Sequence, residues 1–285
     1  MYLKNTWYVA GFADELGAER PLARTLLDQP ILFSRGPGDE VAAQAHAAAE
    51  RHGLLWWWGG DAALADPTLI PDYSLFQQAH PHGSFRGYLP TQCHYELLVD
   101  NILDLTHADY LHAGSLGNGS LTRAKARVTD LSDRSLRVAW LSSGEPAPPA
   151  FDAHLRRHGE PTEQWTEVTW TAPGNLLLRV GATLQGESRS QGVDAWTLHL
   201  ATPETESITH YWFWSMRGFA MSPEVNAQIQ AFVTYAFAQQ DKPMLEAQYR
   251  NMNGGEFWSM KPLLLASDAA AVLARRKLMS LINAE

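Results

Sequence analysis

The 285-residue sequence contains one cysteine, Cys93, which excludes an internal disulfide and any metal site built only from thiolates. It also lacks a block of basic residues. Against 31 Asp and Glu there are 22 Lys and Arg, a formal charge of −9, so neither nucleic acid nor an anionic membrane finds an electrostatic footprint. No apolar run approaches the roughly 18 to 20 residues that span a bilayer, and Met1 to Gly17 has no apolar centre of the signal-peptide kind, so a cytoplasmic location is expected. Partners are then small molecules or proteins. The 45% hydrophobic content supplies a core, and the 11 histidines and 31 carboxylates supply nitrogen and oxygen ligands that suit iron, zinc, manganese or nickel.

The first 60 residues read as short strands at Thr6–Ala10, Arg24–Leu27, Ile31–Ser34 and Leu54–Trp58, separated by Gly, Pro and Asp turns. Between them the Ala-rich run from Val41 to His52 reads as a connector. Trp56, Trp57 and Trp58 alternate sides of one strand, which points to core packing or a subunit interface. A Pro-, His- and Gly-rich stretch from Asp66 to Pro90 suggests an irregular loop and a domain boundary. A helix-like stretch follows from Glu96 to about Leu111, ended by the loop Gly114–Ser120. Residues 121 to 215 alternate as antiparallel strands, among them Ser135–Trp140, Thr166–Trp170, Leu176–Val180, Trp196–Ala201 and Ile208–Trp214. Ser222-Pro223-Glu224 then starts an amphipathic helix that runs to Met252, and a second covers Asp268–Ile282. The expected class is α+β, an antiparallel sheet with a long C-terminal helix laid on it.

Chemistry concentrates in Asp100–His112, where acids and imidazoles alternate with Leu and Ile. His107 and His112 are five apart, about 140° around an ideal helix, so one metal reaches both only if the helix loosens between them or ends before His112. A histidine pair beside an aromatic is, taken alone, more often core or surface than ligand. The long helix strengthens the case: Ile229, Val233 and Phe237 recur every four residues, and Asp241 is the next step of the same apolar stripe. A buried carboxylate costs several kcal/mol unless a cation meets it. Pro243, which cannot donate to the carbonyl four residues back, predicts a helix break around Gln239–Lys242. The other reading is an Asp241 paired with an arginine from elsewhere. Two imidazoles and one carboxylate leave open positions on one face of a metal, the arrangement of non-haem iron(II) oxygenases. Asp104, three residues before His107, is placed to accept a hydrogen bond from a ligand histidine, and Asn101 lies one turn further back on that face.

At these residues the sequence resembles the Rieske-type non-haem iron oxygenases, in the branch of vanillate and related O- and N-demethylases. The matching pieces are KNTWYVAG at the start, ERHGLLWWWGGD followed by ADP, Asn101-x-x-Asp104-x-Thr-His107-x-x-x-x-His112, Thr202-Pro203-Glu204-Thr205-Glu206, and Asp241-Lys242-Pro243-Met244-Leu245-Glu246. The resemblance implies a helix-grip catalytic domain over 61–285 with Fe(2+) on His107, His112 and Asp241, and Asp104 as the residue through which an electron arrives, with Asn101 beside it. It departs in one respect: family members bind a [2Fe–2S] cluster through two cysteines and two histidines, and one cysteine cannot do so. The missing piece falls between Val41 and Glu50, which makes 1–60 a residual β layer of the Rieske domain.

Such a Rieske-less chain is similar to the methylxanthine demethylase branch of bacterial caffeine breakdown. That implies N-demethylation of 7-methylxanthine to xanthine and formaldehyde, with O2 and with electrons from NAD(P)H through a separate reductase bearing an additional cluster. It also implies a glutathione-transferase-like companion and a trimer or hetero-oligomer. His199, opposite Trp196, Leu198 and Leu200 on its strand, and Phe232, Phe237 or Trp212 are candidate substrate contacts. The competing readings are an O-demethylase or hydroxylase of an aromatic substrate, a zinc hydrolase with the same ligands, and a non-catalytic assembly subunit that kept the fold.

Overall fold

Three consecutive tryptophans tie the N-terminal layer together. In the computed structural model, which describes residues 1–285, strands β1 (Trp7–Phe12), β2 (Leu22–Leu26), β3 (Gln29–Arg35), β4 (Val41–Ala43), β5 (Ala48–Arg51) and β6 (Leu54–Trp58) form two antiparallel sheets, β1-β6-β5 and β2-β3-β4. Successive side chains of β6 point to opposite faces. Trp56 and Trp58 enter one apolar cluster with Trp7 and Val9, and Trp57 enters another with Tyr8 and Phe33, so the whole strand is buried. The run from Val41 to His52 is therefore no bare connector. β4 and β5 pair with β3 and β6, and the turn between them closes through a bridge from Ala43 to His46. Ready strand edges on both sides override the weak strand preference of alanine.

The larger sheet has seven antiparallel strands: β7 (Ser84–Tyr88), β8 (Arg127–Ser132), β9 (Ser135–Glu145), β10 (Thr162–Thr171), β11 (Asn175–Leu184), β12 (Val193–Thr205) and β13 (Ile208–Arg217), in the order β7-β13-β12-β11-β10-β9-β8. One face, through Leu198, Leu200 and Trp212, packs on Trp7, Trp56 and Trp58 of the N-terminal layer. The other face, through Val138, Val168, Leu176 and Phe213, packs on helices. The class is thus α+β, an antiparallel sheet gripping a long C-terminal helix.

Four longer helices cover that face: α1 (Tyr95–Leu103), α2 (Pro223–Tyr235), α3 (Lys242–Met252) and α4 (Ala269–Asn283). The stretch expected as one helix to Leu111 is divided. α1 stops at Leu103, a 3₁₀ turn spans Leu105–His107, and a single turn of helix spans Ala108–Leu111. α2 and α3 are joined without a break by a π-helical turn, Ala236–Asp241.

α1 is held from behind by one cation. Arg275 of α4, 7% exposed, donates to both oxygens of Asp100 at 2.7 to 3.1 Å and also to Glu96. Burial pushes the Asp100 carboxyl up to about 6, against the pull of Arg275. Removing one partner of a buried ion group leaves an uncompensated charge. Arg275→Ala is expected to lower the unfolding free energy by about 3 kcal/mol or more in urea titrations; a loss under about 1 kcal/mol would mean the group is screened like a surface pair.

Candidate metal centre

His107 closes the 3₁₀ turn that follows α1. The turn starts at Asp104, whose Oδ1 accepts from the Thr106 backbone N–H at 3.0 Å and hydroxyl at 2.7 Å. The carboxylate is thereby occupied as the turn's cap, and the Asp104 backbone carbonyl takes the His107 Nδ1–H, at 2.7 Å. The expected hydrogen bond from a ligand histidine to Asp104 is thus present, made to its backbone carbonyl and not to its carboxylate. A carbonyl only accepts, so Nδ1 carries the proton and Nε2 presents a lone pair.

His112 ends the short helix Ala108–Leu111, past the loosened segment, and its ring centroid lies 5.6 Å from that of His107. Its Nδ1 meets the amide oxygen of Gln240 at 2.8 Å, which fixes Nδ1 as the donor and again frees Nε2. Gln240 has no place in the sequence reading. It sits beside Asp241 on the π turn, and only the extra residue of that turn lets neighbouring side chains serve His112 and the site together.

Asp241 ends the π turn and is 7% exposed. The break expected from Pro243 does not occur: the proline sits in the first turn of α3, and the widened turn before it absorbs the missing donor. Asp241 Oδ1 lies 3.4 Å from His107 Nε2 and 3.2 Å from His112 Nε2, without hydrogen-bond alignment, so this buried oxygen has no partner. All three ligand atoms fall within 4.8 Å of one another. Ligands at about 2.1 Å from an ion and at right angles to each other stand about 3 Å apart. An unpartnered buried carboxylate oxygen between two imidazole lone pairs fits a metal ion. Burial alone would push the Asp241 carboxyl up; without a metal, imidazoles protonated on Nε2 as well hold it below the ordinary carboxylate range. In that metal-free state burial disfavours the His112 cation, and Asp241 and Gln240 outweigh it.

The three residues line a cavity of about 850 Å³, a volume that includes the open solvent at its mouth. Its walls are mostly apolar, with Ile102, Leu105, Leu121, Leu178, Val180 and Phe237, and no Lys or Arg lines it. Asn101 borders it and also a small cavity behind Asp241. His199 is 1% exposed; its Nδ1 pairs with the Tyr211 hydroxyl at 2.8 Å, and its Nε2 has no partner. Burial pushes the His199 imidazole down to about 3, so the ring is neutral. Phe237 stands 5.4 Å from that ring. Phe232 is not in the lining, because five residues before Phe237 it points about 140° away around the helix. Trp212 is buried on the opposite face of the sheet.

Second partners such as Gln240 typically change metal affinity by about 10- to 100-fold. Gln240→Leu is expected to weaken Fe(II) binding by about that factor in chelator competition, with Asp241→Ala abolishing it. Unchanged affinity in both variants would remove the three residues as a metal site.

Residues 91–284 match the vanillate O-demethylase oxygenase C-terminal domain family. The chain is 37% identical over 248 residues to the oxygenase component of chloroacetanilide N-alkylformylase from Rhizorhabdus wittichii, covering 86% of this chain and 71% of that protein. It is 27% identical to the oxygenase component of dicamba O-demethylase from Stenotrophomonas maltophilia, covering 100% and 99%. That alignment spans 339 positions against 285 residues here, so about 54 positions of the relative have no counterpart. The structure of dicamba monooxygenase bound to 3,6-dichlorosalicylic acid superposes with a TM-score of 0.89 at 27% identity, over 99% of this chain and 98% of that one. Pseudomonas putida CBB5 NdmA with caffeine superposes at 0.69 and 15% identity, over 99% and 92%, a likeness of fold.

Proposed function

This chain belongs to the Rieske-type non-haem iron oxygenases, in their vanillate O-demethylase branch, and from that premise we propose that it N-demethylates a neutral, flat substrate of the methylxanthine type at a ferrous iron. The observation that carries the reading is a cavity lined by no Lys or Arg that includes His107, His112 and Asp241. A substrate anion such as vanillate or a sulfonate would be buried there with no basic side chain to pair with, which costs free energy. A neutral ring with an N-alkyl group carries no such penalty. The relative that acts on a chloroacetanilide, itself neutral, is consistent with this choice, and an N-alkyl anilide is the second substrate class it favours.

Ferrous iron, when held by the triad, supplies oxygen activation. The summed reaction takes the N-methyl compound, O2, two electrons and two protons to a carbinolamine and water, and the carbinolamine falls apart to formaldehyde and the demethylated amine. The protein's part is positional. Nδ1 bonds to the Asp104 carbonyl and to Gln240 fix both imidazoles, apolar walls exclude bulk water, and the neutral His199 presents its unpartnered Nε2 to the bound ring.

The electrons come from a partner in this proposal. Relatives are named as oxygenase components of multi-component systems, and one cysteine cannot supply the two thiolates of a Rieske centre. A reductase that carries its own [2Fe–2S] cluster and draws on NAD(P)H fills the gap. Its entry edge is the His107 side: that ligand's side chain is 23% exposed, against 4% for His112 and 11% for Asp241, and its Nδ1 is bonded to the Asp104 carbonyl. Residues 1–60 are then the remnant of the cluster domain and 61–285 the catalytic domain.

Anaerobically purified protein is expected to hold close to one iron per chain. With O2, NAD(P)H and a Rieske-bearing reductase it should release formaldehyde from 7-methylxanthine faster than from vanillate. Zinc in place of iron would indicate the hydrolase, and no metal the assembly role. Preference for vanillate would overturn the neutral-substrate reading while leaving the iron site.

A further inference from the structure

The floor of the cavity carries a polar corner that the metal centre does not use. Four inward rows of the seven-stranded sheet form this floor, and the register places Trp140, Thr166, Val180 and Ala195 on one of them. His199, near the triad, is four residues further along β12 and three strands across from Trp140. Trp140 therefore stands on a different row and a different strand of the floor from His199.

Trp140 is 2% exposed and lines the cavity, yet its indole N–H has no hydrogen-bond partner. An indole N–H is a donor only, and a buried donor left unmade costs roughly 1 to 3 kcal/mol. Beside it on the same face, Thr166 and Ser142 line the cavity with hydroxyls that no protein group engages. Gln164, the remaining polar neighbour, is spent within the protein: its amide donates to the carbonyls of Glu145 and Pro146, and its oxygen accepts from Asn118. The corner thus offers one committed donor and two adaptable hydroxyls in a setting without charge.

We propose that Trp140, supported by Thr166 and Ser142, is the specificity-determining contact for a carbonyl oxygen of the substrate. This rests on the neutral N-alkyl reading and narrows it: the substrate is a neutral lactam, imide or anilide, and not an amine or a plain azine. An acceptor at the indole satisfies a donor that the fold leaves open.

The test compares two matched pairs, 7-methylxanthine with 7-methylpurine, which lacks both carbonyls, and an N-alkyl anilide with the corresponding N-alkylaniline. Binding to the iron-loaded anaerobic protein is measured by calorimetry, and KM and kcat with the reductase added. Trp140→Phe, which keeps an aromatic ring and removes the donor, is expected to weaken binding of the carbonyl-bearing member about five- to tenfold, with kcat within about twofold and the carbonyl-free member unaffected. Thr166→Val, a smaller change on the neighbouring strand, should give the same pattern more weakly, and serves if Trp140→Phe does not fold. Equal weakening of both members would mean a packing role and would overturn the inference alone. Wild-type protein that binds none of the four compounds overturns the neutral N-alkyl reading, and this inference with it.

Discussion

A carboxylate buried between two imidazoles dictates most of what surrounds it. Asp241 is on an apolar stripe, with an oxygen that no protein donor satisfies and two nitrogen lone pairs 3.2 and 3.4 Å away. Such an arrangement is costly as it stands and favourable around a cation, so the elements that create it store local irregularities. The helix carrying Asp241 contains a π turn, and the helix carrying the histidines dissolves into a 3₁₀ turn before re-forming for one turn. Regular helices on both sides would point at most one imidazole at the carboxylate. The regular parts hold these irregular ones in place: Arg275 pins α1 to α4, and the apolar stripe of α2 lies on the sheet.

That division explains what could be read from the residues alone. Stripe spacing in the last helix put Asp241 inside, and five-residue spacing of His107 and His112 required a loosened helix, both from geometry that a linear sequence carries. The π turn was not legible, because Pro243 says only that a donor is missing, and a break and a widened turn satisfy that equally. Gln240 was hidden for the same reason, as its facing depends on the turn. Asp104 illustrates a third limit. Its carboxylate could serve the imidazole or cap the turn, and the Thr106 N–H and hydroxyl decide the competition by being adjacent. Phe232 was out of reach of the site by simple helical phase, five residues from Phe237. Trp140 was legible as an inward residue of a strand, but which inward residues meet a cavity depends on where the helices leave the sheet uncovered.

In the proposed reading the N-terminal layer lacks an internal piece of the cluster domain, and its core is closed all the same. β6 faces two clusters at once, with Trp56 and Trp58 to the larger sheet and Trp57 to the smaller one. The segment from Val41 to Arg51 returns through β4 and β5 by the Ala43–His46 bridge, so its strands are paired with β3 and β6. The length difference from the dicamba relative is thus compatible with a layer that still buries 100% of β6.

An electron carrier outside the chain, as proposed, changes what the metal centre must provide. In the proposed reading an outside cluster approaches one ligand, while substrate enters a chamber that reaches another part of the fold. The unequal exposure of the ligands suits this division: all three line the chamber, but His107 is the more exposed and is tied to a backbone carbonyl, whereas His112 and Asp241 are deeper, His112 tied through a side-chain amide and Asp241 set on the apolar stripe. A backbone acceptor cannot swing away when a partner docks, so the exposed ligand is held by the less mobile of the two anchors. The deeper ligand, shielded from any partner, tolerates an anchor on a side chain. Rigidity is placed where the surface is disturbed, and adaptability where the ring must fit.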